Sequence, residues 1–453
     1  MSKVIRIKRG LNIPLRGSAE KILQTPSRAP EYAVKPPDFH GLFPKMLVEE
    51  GDRVKAGTPL FFDKYNEDVV FTSPVSGTYT RLVRGAKRRI LEVRIEPDAE
   101  DDYIDFGAAD PASVSREEII DKLLKSGLWP AIRQRPYSII ASREDKPRDI
   151  FISAFDSAPL APDLDFVING SEGDFQKGLD VLSRLTDGDV HLGVDAESTT
   201  SEAFNRAKGV RVHRFKGPHP AGNVGIQIHH IRPLNKGEVV WYLDVQHVVT
   251  IGRLFDTGTY DSRKVVALTG SEVENPRYYR VHAGARLDIM AEGNVVKEEG
   301  VNLRYISGNV LSGEKIAEKG YVGFYDSQVT VIPEGDKPEL MGWLIPNTGR
   351  FSVSRTWPSF LMPWKKYRLD TNIRSGERPF VITGLYEKYL PMDILPMQLM
   401  KAIMINDIDM MENLGIYEVA PEDFALCEFV CPSKIEIQSL IRDGLDNIQK
   451  EFA

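Results

Sequence analysis

Short apolar runs of two to four residues alternate with glycine turns through the first hundred residues, and this pattern predicts a small flattened barrel of hairpins. Between Val48 and Thr78, Gly51-Asp52 and Gly57 mark turns, and Val54 and Leu60–Phe62 are the expected buried positions. A second strand pair closes on Ser73-Pro74-Val75-Ser76-Gly77, and the acidic run Glu96–Asp102 reads as a linker. A helix follows, capped by Ser113 or Ser115, with Ile119, Ile120, Leu123 and Leu124 as its apolar stripe. From about Ile139 to Leu254 strands and helices alternate, which implies a mostly parallel sheet with crossover helices. Its expected strands are Ile150–Ile152, Phe166–Ile168, Val190–Val194, Val210–Val212 and Val239–Val245, with an amphipathic helix at Phe175–Leu185. A smaller β-rich unit runs from Phe255 to Val331, with strands at Val265–Leu268, Arg277–Val281, Leu303–Ile306 and Val329–Val331. The last segment is helical: Pro396 opens one helix, Met397, Met400 and Met404 form a stripe, and Ser433 with Glu436 predicts a capping box before the last helix.

The N-terminal barrel resembles the lipoyl/biotinyl carrier fold. In that fold a modified lysine occupies a tight hairpin, and Lys64, in Asp63-Lys64-Tyr65-Asn66, falls near that place. Its bulky and acidic neighbours favour a plain solvated lysine on a barrel reused for docking.

A chain of 453 residues is too long for one core. With 42% hydrophobic and 27% charged residues it has ordinary globular composition, and no uninterrupted apolar stretch predicts a membrane span. The charged opening Met1–Lys8 argues against export. Two cysteines, Cys427 and Cys431, exclude a disulfide framework and suit a reducing compartment. The net charge of −7 is unevenly spread: residues 1–95 carry 18 Lys and Arg against 10 Asp and Glu. Arg81, Arg84, Lys87, Arg88, Arg89 and Arg94 crowd one hairpin, a pattern suited to an anionic surface or partner, while the rest lacks the signature of a nucleic-acid reader.

Candidate chemistry is sparse. No G-x-G-x-x-G follows a strand and no phosphate loop occurs, so no nucleotide motif is present. Five of the eight histidines lie between His213 and His247, but they offer no H-E-x-x-H spacing, and His229-His230, read as strand, would face opposite sides; no metal is expected. Cys427 and Cys431 cannot alone complete a tetrahedral site and read as buried structural thiols. Gly217-Pro218-His219-Pro220-Ala221-Gly222 forms a rigid loop of the kind that can cradle a ligand beside an open sheet.

Gly10–Pro14, Val48–Thr78, Gly217–Gly222, Phe351–Thr356, Leu390–Pro396 and Ala425–Pro432 together resemble the A-subunit family of the Na+-translocating NADH:quinone oxidoreductase, the bacterial respiratory sodium pump. The resemblance implies a multidomain α/β plus β protein. Its parts are an N-terminal segment and lipoyl/biotinyl-like barrel-sandwich domain (1–98), a Rossmann-like α/β domain (99–254) and a β-grasp-like domain of the soluble-ligand-binding type (255–335). A connecting segment (336–390) and a C-terminal helical domain (391–453) complete it. Related redox proteins hold flavin on a glycine-rich loop and iron–sulfur clusters on four cysteines. Here the matching loop is Ser126-Gly127-Leu128-Trp129-Pro130-Ala131, where indole and pyrrolidine replace bare backbone. Thr257-Gly258-Thr259 is not the threonine motif by which sister chains of the pump bind flavin phosphate.

The implied protein is a peripheral component on the cytoplasmic face of the inner membrane, with integral membrane subunits for partners and no nucleic acid. The complex uses NADH, flavins, iron–sulfur and quinone to export Na+; this chain is expected to bind no cofactor of its own and not to be catalytic alone. Family accounts associate this subunit with quinone binding; position beside the vacated cofactor site points to Phe39, His40, Trp129 and Arg133, and the glycine-punctuated loop to His219, as quinone or partner contacts. Two rivals remain: a lipoyl/biotinyl carrier, which intact mass at Lys64 would reveal, and a stand-alone flavin or NAD oxidoreductase, which would purify yellow.

Overall fold

The computed structural model describes residues 4–336, 347–374, 376 and 378–451, so part of the 336–390 segment lies outside the described residues. The hairpin pattern becomes a sandwich of two sheets. One has four strands in the order Tyr32–Val34, Ile90–Pro97, Gly77–Arg84, Arg53–Val54; the other has three, Pro44–Met46, Pro59–Asp63, Asn66–Thr72. Val54, Leu60, Phe61, Val69, Phe71, Val93 and Ile95 fill its interior, and Phe61 stacks on Phe71 with centroids 4.8 Å apart. Lys64 and Tyr65 form the tip between Pro59–Asp63 and Asn66–Thr72. The acidic run 96–102 is no free linker. Pro97 still belongs to a strand, Asp98 pairs with Arg53 at 2.7 Å, and Asp101 pairs with Arg28 while accepting the Ser76 N–H at 2.9 Å. Carboxylates met by guanidinium groups become anchors rather than solvated spacers.

Ser115, not Ser113, caps the next helix, Arg116–Lys125, in a complete capping box with Glu118. The chain then builds a seven-stranded sheet in the order Ile5–Arg6, Arg211–Lys216, Val190–Asp195, Ile150–Ser153, Val240–Asp244, Arg133–Arg135, Ile139–Ile140. The first five run parallel, Arg133–Arg135 runs antiparallel to them, and Ile139–Ile140 pairs antiparallel with Arg133–Arg135. Two expected strand segments are helical instead. Phe166 and Val167 lie in the short helix Leu164–Val167, because Asp163 accepts the Phe166 N–H and caps a turn, while Val167 packs on Val265, Ala267 and Tyr278. His229 and His230 lie in the helix Val224–Ile231, where the alternating isoleucines mimic a strand but Ile226 and Ile228 both find buried sites. A short apolar run satisfies either period, and tertiary contacts choose.

A six-stranded sheet follows, ordered Glu314–Ile316, Leu303–Ser307, Gln328–Pro333, Arg263–Thr269, Arg277–His282, Glu20–Gln24. The four strands read from the pattern are all present. The N-terminal arm supplies its outer strand, just as Ile5–Arg6 supplies the edge of the α/β sheet, so one segment ties the two layers together.

In the helical end, Pro396–Met404 buries Met397 and Met400, while Met404 is 48% exposed. The last helix, Ile437–Glu451, buries Ile437, Ile441, Leu445 and Ile448. The expected Ser433–Glu436 box does not form: the Ser433 hydroxyl donates to the Pro379 carbonyl, and Glu428 accepts the Gln438 N–H at 2.7 Å. The helix begins only at Ile437, and a carboxylate from the neighbouring helix satisfies one of its first-turn orphan donors in place of a local cap. Cys427 and Cys431 are buried around Tyr386, whose hydroxyl lies 3.1 Å from the Cys431 sulfur. Burial pushes the Cys427 thiol well above its usual range, which keeps it protonated.

The helices Glu172–Ser183 and Val245–Thr257 pack backbone to backbone. A Cβ on Gly178 would lie 2.1 Å from the Val248 carbonyl oxygen, and one on Gly252 1.8 Å from that of Asp174. Gly252→Val is therefore expected to cost about 3 kcal/mol, the upper part of the overpacking range, because backbone cannot yield as a side chain can. Thermal unfolding checks this; an unchanged or raised midpoint would show that the contact is loose enough for helix propensity to win.

Candidate functional site

In the α/β sheet the strands Ile150–Ser153 and Val240–Asp244 are neighbours, but the chain leaves the first toward Val190–Asp195 and reaches the second only later. Their carboxyl ends, where Ser153 pairs with Asp244, flank the crevice that such an order reversal opens. A cavity of about 200 Å³ occupies it. Arg133, His219, Tyr242, Asp244, Tyr325 and Glu422 are among its walls, drawn from the α/β layer, the six-stranded unit and the helical end. The lining mixes aliphatic side chains such as Leu164, Leu243 and Leu311 with polar and aromatic groups.

His219 is held on both sides. Its backbone N–H donates to Asn12 Oδ1 at 2.9 Å, and its carbonyl accepts the Leu11 N–H at 2.8 Å. Gly10, with φ +136°, lies so close that a Cβ there would be 2.1 Å from the His219 oxygen. The glycine is required by both the backbone conformation and the approach. Thus Gly10–Pro14 and Gly217–Gly222, separate in sequence, form one unit. His219 is 4% exposed, and burial pushes its imidazole down to about 4, so it is neutral at physiological pH. Ser157 Oγ accepts the Gly222 N–H at 2.8 Å and lies 3.1 Å from His219 Nδ1. One proton bridges Ser157 Oγ and His219 Nδ1, and the neutral imidazole has a single N–H to place on Nδ1 or Nε2.

Arg133 enters from the antiparallel strand Arg133–Arg135. Its guanidinium lies between the rings of Tyr242 and Tyr325, 4.6 and 4.5 Å from their centroids, and its Nε is buried without a hydrogen-bond partner. Tyr325 is fixed by its hydroxyl, which donates to the Pro130 carbonyl at 2.6 Å.

Of the five residues singled out from the sequence, the fold brings Arg133 and His219 into this crevice. Phe39 is buried one ring away, its centroid 5.7 Å from that of Tyr325. Trp129 is fully buried, edge-on to Trp241 at 5.4 Å, and its indole N–H donates to the Ala141 carbonyl at 2.8 Å. His40 lies on the surface and meets Asp446 of the last helix at 2.8 Å. Sequence reasoning missed Tyr242, Tyr325, Ser157 and Asn12, which carry no motif and become neighbours only through the sheet order.

A second cluster, Asp149, Asp189 and His191, has ligand atoms within 4.8 Å of one another. Arg148 and Arg232 hold Asp149 at 2.9 and 3.2 Å, and Arg211 holds Asp189 at 2.8 Å. With three guanidinium groups in place, the arrangement reads as an ion-pair network at the amino ends of the strands.

A curated relative from Rhodopirellula baltica, named as the A subunit of Na(+)-translocating NADH-quinone reductase, is 42% identical over 453 residues, covering 99% of this chain and 98% of its own length. The chain belongs to this family. Relatives of the same name from Neisseria meningitidis serogroup B and Hahella chejuensis are 40% and 37% identical, each covering 99% of this chain and 100% of their own length. Family profiles agree along the chain: an NqrA N-terminal barrel-sandwich hybrid domain matches residues 5–98, an NqrA second alpha/beta domain 114–260, and an NQRA C-terminal domain of the SLBB type 265–318. The crevice therefore joins residues of the NqrA alpha/beta region to Tyr325, just beyond the SLBB match. Among the described residues no helix is long and apolar enough to cross a membrane.

Proposed function

We propose that this chain is a peripheral part of a Na+-translocating NADH:quinone reductase, docked on integral membrane subunits at the cytoplasmic face, and that its crevice contributes a contact for the quinone ring. The observation that carries the quinone reading is the convergence of the His219 imidazole and the Arg133 guanidinium on one cavity of about 200 Å³. A quinone presents two carbonyl oxygens, and these two side chains are donors suited to them. The volume lies below the roughly 300–1,000 Å³ of ordinary ligand pockets, which favours a ring-sized headgroup over a dinucleotide. Phe39 and Trp129 support the walls from behind, and His40 with Asp446 braces the barrel against the last helix.

We read the chain as carrying no NADH, flavin or iron–sulfur cluster, those of the complex residing in its partners. The loop 126–131 is packed with buried Trp129 and Pro130, and the thiols of Cys427 and Cys431 face Tyr386, which supports that reading. In the same spirit we take the seven-stranded layer as Rossmann-like and the six-stranded unit as β-grasp-like, both kept as scaffold, with domain limits near residues 98, 254, 335 and 390.

In the assembled complex, His219→Gln and Arg133→Gln are each expected to raise the quinone KM about tenfold, a loss of about 1.4 kcal/mol, while NADH oxidation by an artificial acceptor is unchanged. If both variants keep wild-type quinone KM and inhibitor affinity, the quinone contact is wrong, although the chain's place in the complex would stand. Co-purification in mild detergent tests that place: the chain should travel with integral membrane subunits and be colourless when isolated alone.

A further inference from the structure

A second cavity, of about 190 Å³, lies between the turn 167–171, the helix Val245–Thr257 and the strands Arg263–Thr269 and Arg277–His282. Arg253, Arg263, Lys264 and Arg280 line it, and no acidic side chain does. Strand pairing explains the convergence. Val265 lies opposite Arg280 and Arg263 opposite His282, so Arg263 and Arg280 are diagonal neighbours on one face of the sheet. Arg253 reaches the same space from the helix.

The pairing of these cations is incomplete. Arg253 donates from Nε to Asp174 at 2.7 Å and from Nη2 to Ser171 Oγ at 2.9 Å. Arg263 makes a two-pronged contact with Asp261 at 2.8 and 2.7 Å. Lys264 turns its ammonium away, to the Phe324 carbonyl at 2.9 Å. Arg280 is exposed, and among the described residues no carboxylate pairs with it. Three guanidinium groups therefore face two carboxylates, and diagonal like charges on a sheet repel. Ser171, which opens the helix Glu172–Ser183, spends its hydroxyl on Arg253 and makes no side-chain cap.

We propose that this cavity binds a phosphate-type oxyanion, with Arg280 as its free clamp and Arg253 and Arg263 as preset walls. Planar, fork-shaped donors match the paired oxygens of a phosphate, and an anion there would relieve the like-charge contact. The cavity has room for a phosphate group with a small substituent. A soluble phosphate compound and a phospholipid headgroup share this chemistry, so the experiment has two arms.

Calorimetric titration of the full chain with pyrophosphate probes the soluble source. Co-sedimentation with phosphatidylcholine vesicles, with and without phosphatidic acid, probes the headgroup. Saturable one-to-one pyrophosphate binding is expected, weakened at least about tenfold by Arg280→Gln and unchanged by Arg88→Gln on the exposed basic hairpin. Vesicle binding that needs phosphatidic acid and is lost in Arg280→Gln, without pyrophosphate binding, supports the site with a lipid as its source. No saturable binding of either probe, or an equal loss in Arg88→Gln, overturns the proposal.

Discussion

Arg135→Met is expected to destabilise the protein by about 3–5 kcal/mol, because it strands a buried carboxylate. Arg135 is 1% exposed and comes from the antiparallel strand Arg133–Arg135 of the α/β sheet. Its Nη1 donates to Asp423 Oδ2 at 2.6 Å and to the Glu418 carbonyl at 3.2 Å, and its Nη2 donates to Glu422 at 2.9 Å. One side chain thus ties the α/β layer to the helical end. Burial pushes the Asp423 carboxyl up, and the Arg135 charge works against that push. With the guanidinium removed, Asp423 must either stay charged without compensation or take up a proton, and both cost free energy. Thermal unfolding of Arg135→Met should show a lowered midpoint, with protease sensitivity appearing first in residues 391–451. The double variant Arg135→Met/Asp423→Leu removes both charges and should recover much of the loss, since well-packed apolar replacements of buried pairs are often neutral. If the double variant is as unstable as the single, the loss arises from packing and the electrostatic account is wrong.

Trp129→Ala is expected to cost about 3–5 kcal/mol, the range for emptying a buried aromatic site. The residue is fully buried, its ring meets Trp241 edge-on, and its N–H satisfies the Ala141 carbonyl. The loop it sits on also accepts a hydrogen bond from Thr72 of the barrel at 3.0 Å, so the cavity would loosen the junction between barrel and α/β layer. The unfolding midpoint should fall, and Trp129→Phe should restore part of it. In the assembled complex the signature is a reduced amount of active enzyme with an unchanged quinone KM. A fully stable Trp129→Ala enzyme with a raised quinone KM would instead make the indole a direct contact, and the wall-supporting role would be wrong.

The contrast between Arg133 and Trp129 shows how far a motif can be read without its surroundings. Trp129 lies on the loop that resembles a vacated flavin cradle, and Arg133 follows just after it. The strand that begins at Arg133 carries its guanidinium out between two tyrosines, whereas the turn Trp129–Ala131 folds the indole inward. Four positions along the chain separate a crevice-lining side chain from a core one. Nothing in composition distinguishes them, because both side chains are large and each can bury its apolar part.

Local pattern alone determined much of this protein. The barrel hairpins, a serine cap at 113 or 115, the parallel strands at Ile150, Val190 and Val240, and the final amphipathic helix rest on periodicity and turn residues within a dozen positions. Local order of this kind is written in neighbouring residues and needs no distant partner. The tertiary structure decided the remainder. Ile5–Arg6 and Glu20–Gln24 are too short and too charged to announce themselves as strands, and they become strands only because Arg211–Lys216 and Arg277–His282 offer unpaired edges. The crevice unites residues 133, 219 and 242 of the α/β layer with residue 325 of the six-stranded unit, and Ser157 contacts His219 beside it. Backbone hydrogen bonds across a sheet and burial between layers act over any separation in sequence, so no window along the chain contains that information.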